Sequence, residues 1–234
     1  RMAPQIGAYC LQKATGGRGV LLGGVPGVPP SDVLILGSGV VGSNAALIAI
    51  GLGASVTVAG TNVDQLRRIS SEFGSRVRTV FAARSAVETL CGRADLVIGA
   101  VLVPGAAAPK LISAKTVNTM KSGAVIVDVS IDQGGTAETS RPTSHSEPTY
   151  IVDDIVHYCV TNMPGAVART STFALSNVTT PFVLALADKG CAHALMSDPC
   201  LRAGLNIHDG QVTHKAVANA IGKKYVPANE ALKG

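Results

Sequence analysis

The stretch Val33-Leu34-Ile35-Leu36-Gly37-Ser38-Gly39-Val40-Val41-Gly42 sets an apolar run directly before glycines spaced G-x-G-x-x-G. A continuous apolar run of this length suits a strand buried on both faces, and it stops at Gly37, where a tight turn is needed. Val40 to Leu52, rich in alanine and leucine, then suits a helix. In a dinucleotide-binding turn the first glycine makes the bend, the second lets a pyrophosphate approach the backbone, and the third packs helix on strand. Those roles fall to Gly37, Gly39 and Gly42. Ser38, Val40 and Val41 lie beside them at the helix start, where free N–H groups and a partial positive charge suit phosphate. With 26 glycines in 234 residues the spacing alone is a weak signal. The context strengthens it, because a second strand, Ser55-Val56-Thr57-Val58-Ala59, follows Gly53 and completes a β-α-β unit.

From Val33 the alternation is regular: strand 33–37, helix 41–52, strand 55–59, helix 63–72, strand 77–81, helix 85–91, strand 95–101, helix 114–121 and strand 124–129. Val156 to Val160 supplies a sixth strand. This order predicts an α/β fold with a doubly wound parallel sheet and right-handed crossovers. Ligands in such sheets sit beyond the carboxyl ends of the strands, which gathers Gly37, Gly60, Val101-Leu102, Asp132 and Asn162-Met163 at one crevice. Before it, Arg1 to Lys13 reads as a helix, and Gly16 to Pro30 as a glycine- and proline-rich linker with one short extended segment. After Pro164, Thr170-Ser171-Thr172 offers helix caps to an apolar helix from Phe173 to Asp188 carrying Pro181. Asp209-Gly210 marks a turn between two short extended pieces, and Lys215 to Ile221 a last helix. The expected organisation is an inter-domain helix and linker over 1–30, a dinucleotide-binding domain over 31–165, and a helical part of a second domain over 166–234.

Composition excludes several function classes. A net charge of +5 with four Tyr, four Phe and no Trp leaves little for stacking on bases, so no nucleic-acid partner is expected. The uncharged run from Val33 to Gly60 is broken by glycines, serine and asparagine, so no membrane span is expected either. Arg1 to Lys13 lacks the pattern of a secretory leader. Five cysteines, Cys10, Cys91, Cys159, Cys191 and Cys200, contain no C-x-x-C pair and are odd in number, which argues against a disulfide framework and a zinc site. The expectation is a reduced, cytoplasmic protein without a metal. His157 and Cys159 fall on one strand face and read as core.

Asp132 lies three residues beyond an aliphatic strand and precedes Gln133-Gly134-Gly135. A carboxylate there could orient a water, accept a proton or bond a ribose; it could also simply cap its loop. Asp128, inside the strand, reads as a hydrogen-bonded structural carboxylate. Arg141 could bind an anion as a fork, but pinning its own loop is the preferred reading, and His145 is expected to be exposed.

Taken together, these residues resemble the alanine dehydrogenase family, with the related nucleotide-binding subunit of proton-translocating transhydrogenase behind it. The segments carrying the resemblance are Gly16 to Val28, Val33 to Gly42, Ala94 to Gly105, Val127 to Gly135, Glu138 to Thr143, and His157 to Ala166. They cover nearly the whole chain, and the loops at Asp132 and Asn162 are its most specific parts. The resemblance implies a Rossmann domain flanked by helices of an incomplete second domain. It implies reversible, NAD-linked oxidative deamination of L-alanine to pyruvate and ammonia, through an imine that water hydrolyses. Asp132 would be the active-site aspartate, close to both cofactor and substrate. Gly37, Gly39 and Gly42 would hold the pyrophosphate, and Val101, Leu102, Val129, Asn162 and Met163 would line the adenosine and nicotinamide ends. A homo-oligomer, specifically a hexamer, is implied as well.

Two departures bear on function. The arginine, lysine and histidine that hold and protonate substrate in the family belong to an N-terminal region that should precede Arg1. The sequence therefore looks like the family's C-terminal portion, expected to bind a dinucleotide and to turn over alanine poorly by itself. A transhydrogenase-like or non-catalytic NAD(P)-binding module is the alternative. The second departure is Gly60, which stands where an acidic residue is expected to hold the ribose 2′-OH. NAD remains the expected cofactor with NADP possible, and Thr61 or Asn62 could bond the ribose in place of the acid.

Overall fold

A computed structural model describes residues 1–102 and 108–232. The chain folds into two compact units, one holding residues up to Met163 and the other those from Pro164 onward.

The first unit is built on a seven-stranded sheet of β1 (Asp32–Leu36), β2 (Ser55–Gly60), β3 (Val77–Phe81), β4 (Leu96–Gly99), β5 (Val125–Asp128), β6 (Thr149–Val152) and β7 (Ile155–Tyr158), in the order β3-β2-β1-β4-β5-β7-β6. Neighbouring strands are parallel except for β6, which runs antiparallel to β7 on the edge. The doubly wound parallel sheet expected from the sequence is therefore present, with one edge strand added. β6 escaped notice because its residues alternate between exposed and half-buried and have no apolar run to announce them. It reaches β7 through Asp153 and Asp154, both with positive φ (49° and 62°), a turn usually signalled by asparagine and glycine.

Burial follows from the pleat. Along β1, Val33 and Ile35 join one core cluster while Leu34 and Leu36 join the other, so a four-residue apolar run feeds both faces of the sheet. The first face is covered by α1 (Met2–Cys10), α2 (Val40–Gly51) and α3 (Val63–Phe73). The second is covered by α4 (Arg84–Arg93) and α5 (Ala114–Val117). α3 turns Leu66, Ile69 and Phe73 inward, three residues at helical spacing. α5 is shorter than expected; a turn at Gly123, with φ of 73°, leads straight into β5.

Residues 1–30 are part of this unit and do not form a free linker. Ala3, Cys10 and Leu11 of the first helix and its exit are buried in the core. The following stretch is sewn down by Arg18 N–H donating to Gly123 O, Gly19 N–H to Leu11 O and Ser31 N–H to Leu22 O, which also buries Leu22. No strand forms between Gly16 and Pro30; only an isolated bridge joins Val25 and Val28. Glycine and proline punctuate this segment, but its backbone groups find fixed partners.

In the second unit α6 (Ala168–Lys189) begins before the expected Phe173, so Thr170, Ser171 and Thr172 lie inside the helix and do not cap it. It is followed by α7 (Cys191–Ser197), α8 (Pro199–Ala203), a hairpin of β8 (Ile207–His208) and β9 (Gln211–Val212), α9 (Lys215–Ala220) and α10 (Ala228–Ala231). The hairpin turns at Asp209 and Gly210, as expected. Among the described residues no helix is long and apolar enough to cross a membrane.

Gly42 packs α2 onto β1: a Cβ there would collide with the Gly37 carbonyl oxygen and lie 3.5 Å from Ile35 Cγ2. Backbone cannot yield as a flexible side chain can. Gly42→Ala should therefore cost about 1–3 kcal/mol in urea unfolding, the range for overpacking a close-fitted site, with an unchanged m value.

Candidate functional site

The chain passes from β1 outward to β2 and β3, then returns to β4 on the other side of β1. The loops after β1 and β4 therefore diverge, and a crevice opens at the carboxyl ends of the strands. A cavity of about 480 Å³ occupies it. Gly37 to Val41 form one wall, Gly60 to Asn62 with Gln65 a second, and Val101, Leu102 and Leu111 a third. None of the described lining residues carries a charge.

Each wall has a local cause. Gly37 turns with φ of 117° and presses against the Ala100 carbonyl, where no side chain fits. Gly39 has nothing within 4 Å of where a Cβ would project, so backbone is open to the cavity there. Gly39 also stands at the N-cap of α2, and no side chain caps that end. The leading N–H groups of the helix are left for a ligand, and a pyrophosphate fits this bare backbone cradle. Val40 (81% exposed) and Leu102 (69% exposed) offer apolar surface without a partner.

Asp132 sits in a single 3-10 turn, Ile131–Gln133, just past β5. That turn is stitched to the β4 side: Ser130 Oγ donates to Val101 O at 2.7 Å, and Ala108 N–H to Gln133 O at 2.7 Å. Asp132 itself is exposed, while Val129 beside it is half-buried. The fixed point of the loop is Asp128, 1% exposed, as the sequence reading expected of a structural carboxylate. Its Oδ2 accepts from Thr136 N–H at 2.7 Å, Ala137 N–H at 3.3 Å and Ser140 Oγ at 2.6 Å, and its Oδ1 from Ser130 N–H at 3.2 Å. Gly134 and Gly135 turn left-handed (φ 92° and 78°) to bring those donors round, and Lys110 Nζ donates to the carbonyls of Gly134 and Ala137.

The sequence-predicted residues thus fall into two groups. Gly37, Ser38, Gly39, Val40, Val41, Gly60, Val101 and Leu102 line one cavity. Val129, Asp132, Asn162 and Met163 follow β5 and β7 at the same end of the sheet and do not line it. Gly42 is a packing glycine, and Met163 is buried in the core cluster behind β7. Asn162 is exposed, and its carbonyl accepts from His145 Nε2 at 2.7 Å. Arg141 lays its guanidinium 4.0 Å from the centroid of Tyr150, which pins its own loop.

Sequence reasoning missed Gln65. Its side chain crosses from α3 to accept a hydrogen bond from the Ser38 hydroxyl at 2.9 Å. The available signal was Asn62-x-x-Gln65, the spacing of a capping box. Asn62 does cap α3, accepting from Gln65 N–H at 3.0 Å, so its side-chain oxygen is engaged in the helix start.

Other chemistries find no support among the described residues. No group of three or more His, Cys, Asp or Glu could hold a metal. Burial pushes the Cys10 thiol up to about 11 and the Cys91 thiol up to about 12, so neither offers a thiolate nucleophile. His157 is fully buried, its Nδ1–H donating to Ile155 O at 2.9 Å and its Nε2 facing Thr139 Oγ1 at 2.8 Å; burial lowers its pKa. The assignment of His157 to the core holds.

The match to known proteins is consistent with this geometry. The family model described as alanine dehydrogenase/PNT, C-terminal domain, matches residues 3–215. The chain belongs to that family. It is 58% identical over 228 residues to an alanine dehydrogenase of Halomonas elongata, covering 97% of this chain and 62% of that protein. An alanine dehydrogenase of Bacillus subtilis is 52% identical over 234 residues, covering all of this chain and 62% of its own length. A solved L-alanine dehydrogenase superposes with a TM-score of 0.89 at 51% identity, over 95% of this chain and 61% of that one. A transhydrogenase of Sinorhizobium meliloti shares the fold, with a TM-score of 0.68 at 22% identity over 92% of this chain and 61% of its own. The chain thus spans a little over three fifths of the relatives it matches.

Two measurements check the loop chemistry. Asp128→Asn turns an NH₂ toward N–H donors and should cost about 1–3 kcal/mol of stability, read from urea unfolding. His157 binds its proton less well folded than unfolded, so the unfolded chain holds more protons just below the free histidine pKa of about 6.5. Stability should therefore be complete above that pH and fall on acidification, by no more than about 1.4 kcal/mol per pH unit. His157→Gln should lessen that slope between pH 7.5 and 5.5.

Proposed function

We propose that this chain is the dinucleotide-binding portion of an L-alanine dehydrogenase, and that the protein it belongs to oxidatively deaminates L-alanine to pyruvate and ammonia with NAD. The observation that carries the reading is the pairing of an uncharged switch-point cavity with the Asp132 loop at the same strand ends, in a chain 58% identical to an alanine dehydrogenase.

Gly37, Gly39 and the uncapped start of α2 are the residues to hold the pyrophosphate, with Val101 and Leu102 as apolar walls. The chemistry that a bound nicotinamide cofactor would supply to the site these residues form is hydride transfer from the alanine α-carbon. Asp132 is the catalytic carboxylate in this reading. Exposed on a turn fixed through Ser130 and Gln133, it can orient the water that attacks the imine and accept a proton from it. Asn162 and Met163 belong to the loop after β7, at the nicotinamide end, where His145 holds the Asn162 carbonyl.

We further infer that the protein assembles with copies of itself, as a hexamer. α6 buries no residue over its 22, and it exposes Phe173, Leu175, Val178, Phe182, Val183 and Leu184. A reducing cytoplasm suits the five unpaired cysteines. The 234 residues alone are expected to bind NADH while turning over alanine poorly.

In the protein that carries this chain, Asp132→Asn should lower kcat for alanine-dependent NAD reduction by about 10²–10⁴, the usual contribution of a general base, while NADH affinity stays within about threefold. Unchanged kcat would remove Asp132 from the chemistry. Failure of alanine to drive NAD reduction in the unsubstituted protein would remove the activity.

A further inference from the structure

We propose that Ser38 and Gln65 together replace the missing acidic residue at the adenosine-ribose end of the cavity, as a neutral pair that accepts a ribose 2′-hydroxyl and a 2′-phosphate alike. The inference rests on the reading of the cavity as a dinucleotide site.

Three observations converge on one spot. Position 60 ends β2, where an acidic residue in a site of this kind hydrogen-bonds the ribose and turns away a 2′-phosphate. Here it is glycine, and its missing side chain is already replaced from elsewhere. A Cβ at Gly60 would collide with the Ser38 hydroxyl, lie 2.8 Å from Ser38 Cβ and reach 3.4 Å from Leu66 Cδ2. Ser38 is held in that place because its hydroxyl donates to Gln65 Oε1 at 2.9 Å, across 27 residues of sequence, and it is 8% exposed. With its oxygen occupied by Ser38, the Gln65 amide has N–H donors left for the cavity it lines. Donors serve a ribose oxygen and a phosphate oxygen equally.

The described lining supplies no charge to choose between them. Arg67, the nearest cation in sequence after Gln65, is exposed and pairs with Asp64 at 2.6 Å. The Asn62 side-chain oxygen caps α3. Discrimination against a 2′-phosphate needs a like charge or an unmade hydrogen bond, and this end of the cavity presents neither.

The inference makes positions 38, 60 and 65 one unit, so their substitutions should be non-additive. Dissociation constants for NADH and NADPH would be measured by calorimetry on the protein that carries this chain. The unsubstituted protein should bind the two within about tenfold of each other, a difference under about 1.4 kcal/mol. Gln65→Glu sets a carboxylate beside Ser38 without crowding Gly60. It should raise the NADPH-to-NADH ratio of dissociation constants by about tenfold or more. Gly60→Asp alone should weaken both cofactors, because its Cβ meets Ser38. Ser38→Gly with Gly60→Asp, which removes both the hydroxyl and the Cβ that a side chain at 60 would meet, should recover NADH binding and gain the same discrimination. A Gln65→Glu variant with an unchanged ratio, or a Gly60→Asp variant that needs no change at Ser38, would overturn the proposal. If the unsubstituted protein binds neither cofactor, the dinucleotide reading itself falls, which is a different result from a ratio that does not move.

Discussion

The carboxyl edge of the sheet depends on one buried carboxylate. Asp128 ends β5 with almost no water contact, and an isolated charge there would be costly. It is tolerated because four donors from the next twelve residues converge on it, three of them backbone N–H groups. Those bonds fold the chain from Ser130 to Ser140 into one rigid loop. Asp132 rides on that loop, and Ser130 ties it to the Val101 wall of the cavity. An exposed aspartate thus has its position fixed by a buried one four residues earlier.

How far the sequence revealed this depended on whether each signal was local. The parallel strands were legible because burial on both faces leaves a short apolar run, as in Val33 to Leu36, where alternate residues feed opposite cores. The glycine turn and the structural role of Asp128 were legible for the same reason. β6 was not, since an edge strand half open to water has no such run, and its turn uses Asp153-Asp154 in a conformation more often given to asparagine and glycine. Gly16 to Pro30 misled in the other direction. Its composition has the look of a loose linker, yet fixed backbone partners at Leu11, Ser31 and Gly123 make it part of the first unit.

The site divides along the same line. Of the residues named by the glycine motif, Gly37 to Val41 came out around one cavity and Gly42 packs helix on strand, because the motif and the strand ends are set by the fold. Gln65 was missed because its contribution is a contact between two elements. Asn62-x-x-Gln65 has the spacing of a box that closes on itself, but the glutamine turns instead to Ser38. Met163, named for a binding role, is a core residue at the foot of its loop. A sequence motif locates a loop, while packing decides which of its side chains face the ligand.

That distinction gives Gly60 its meaning. Read alone, a glycine in place of an acid is a loss. Read with Ser38, it is a steric requirement: the hydroxyl occupies the volume that a side chain at position 60 would need. Restoring an acid at 60 would thus leave the Ser38–Gln65 hydrogen bond without room, and a buried polar pair half-satisfied is worse than none. The three positions are coupled through one small volume, which makes glycine at 60 stable to single substitution. Gln65 is the member of the set that lies on a helix, and its side chain meets the set at the Ser38 hydroxyl.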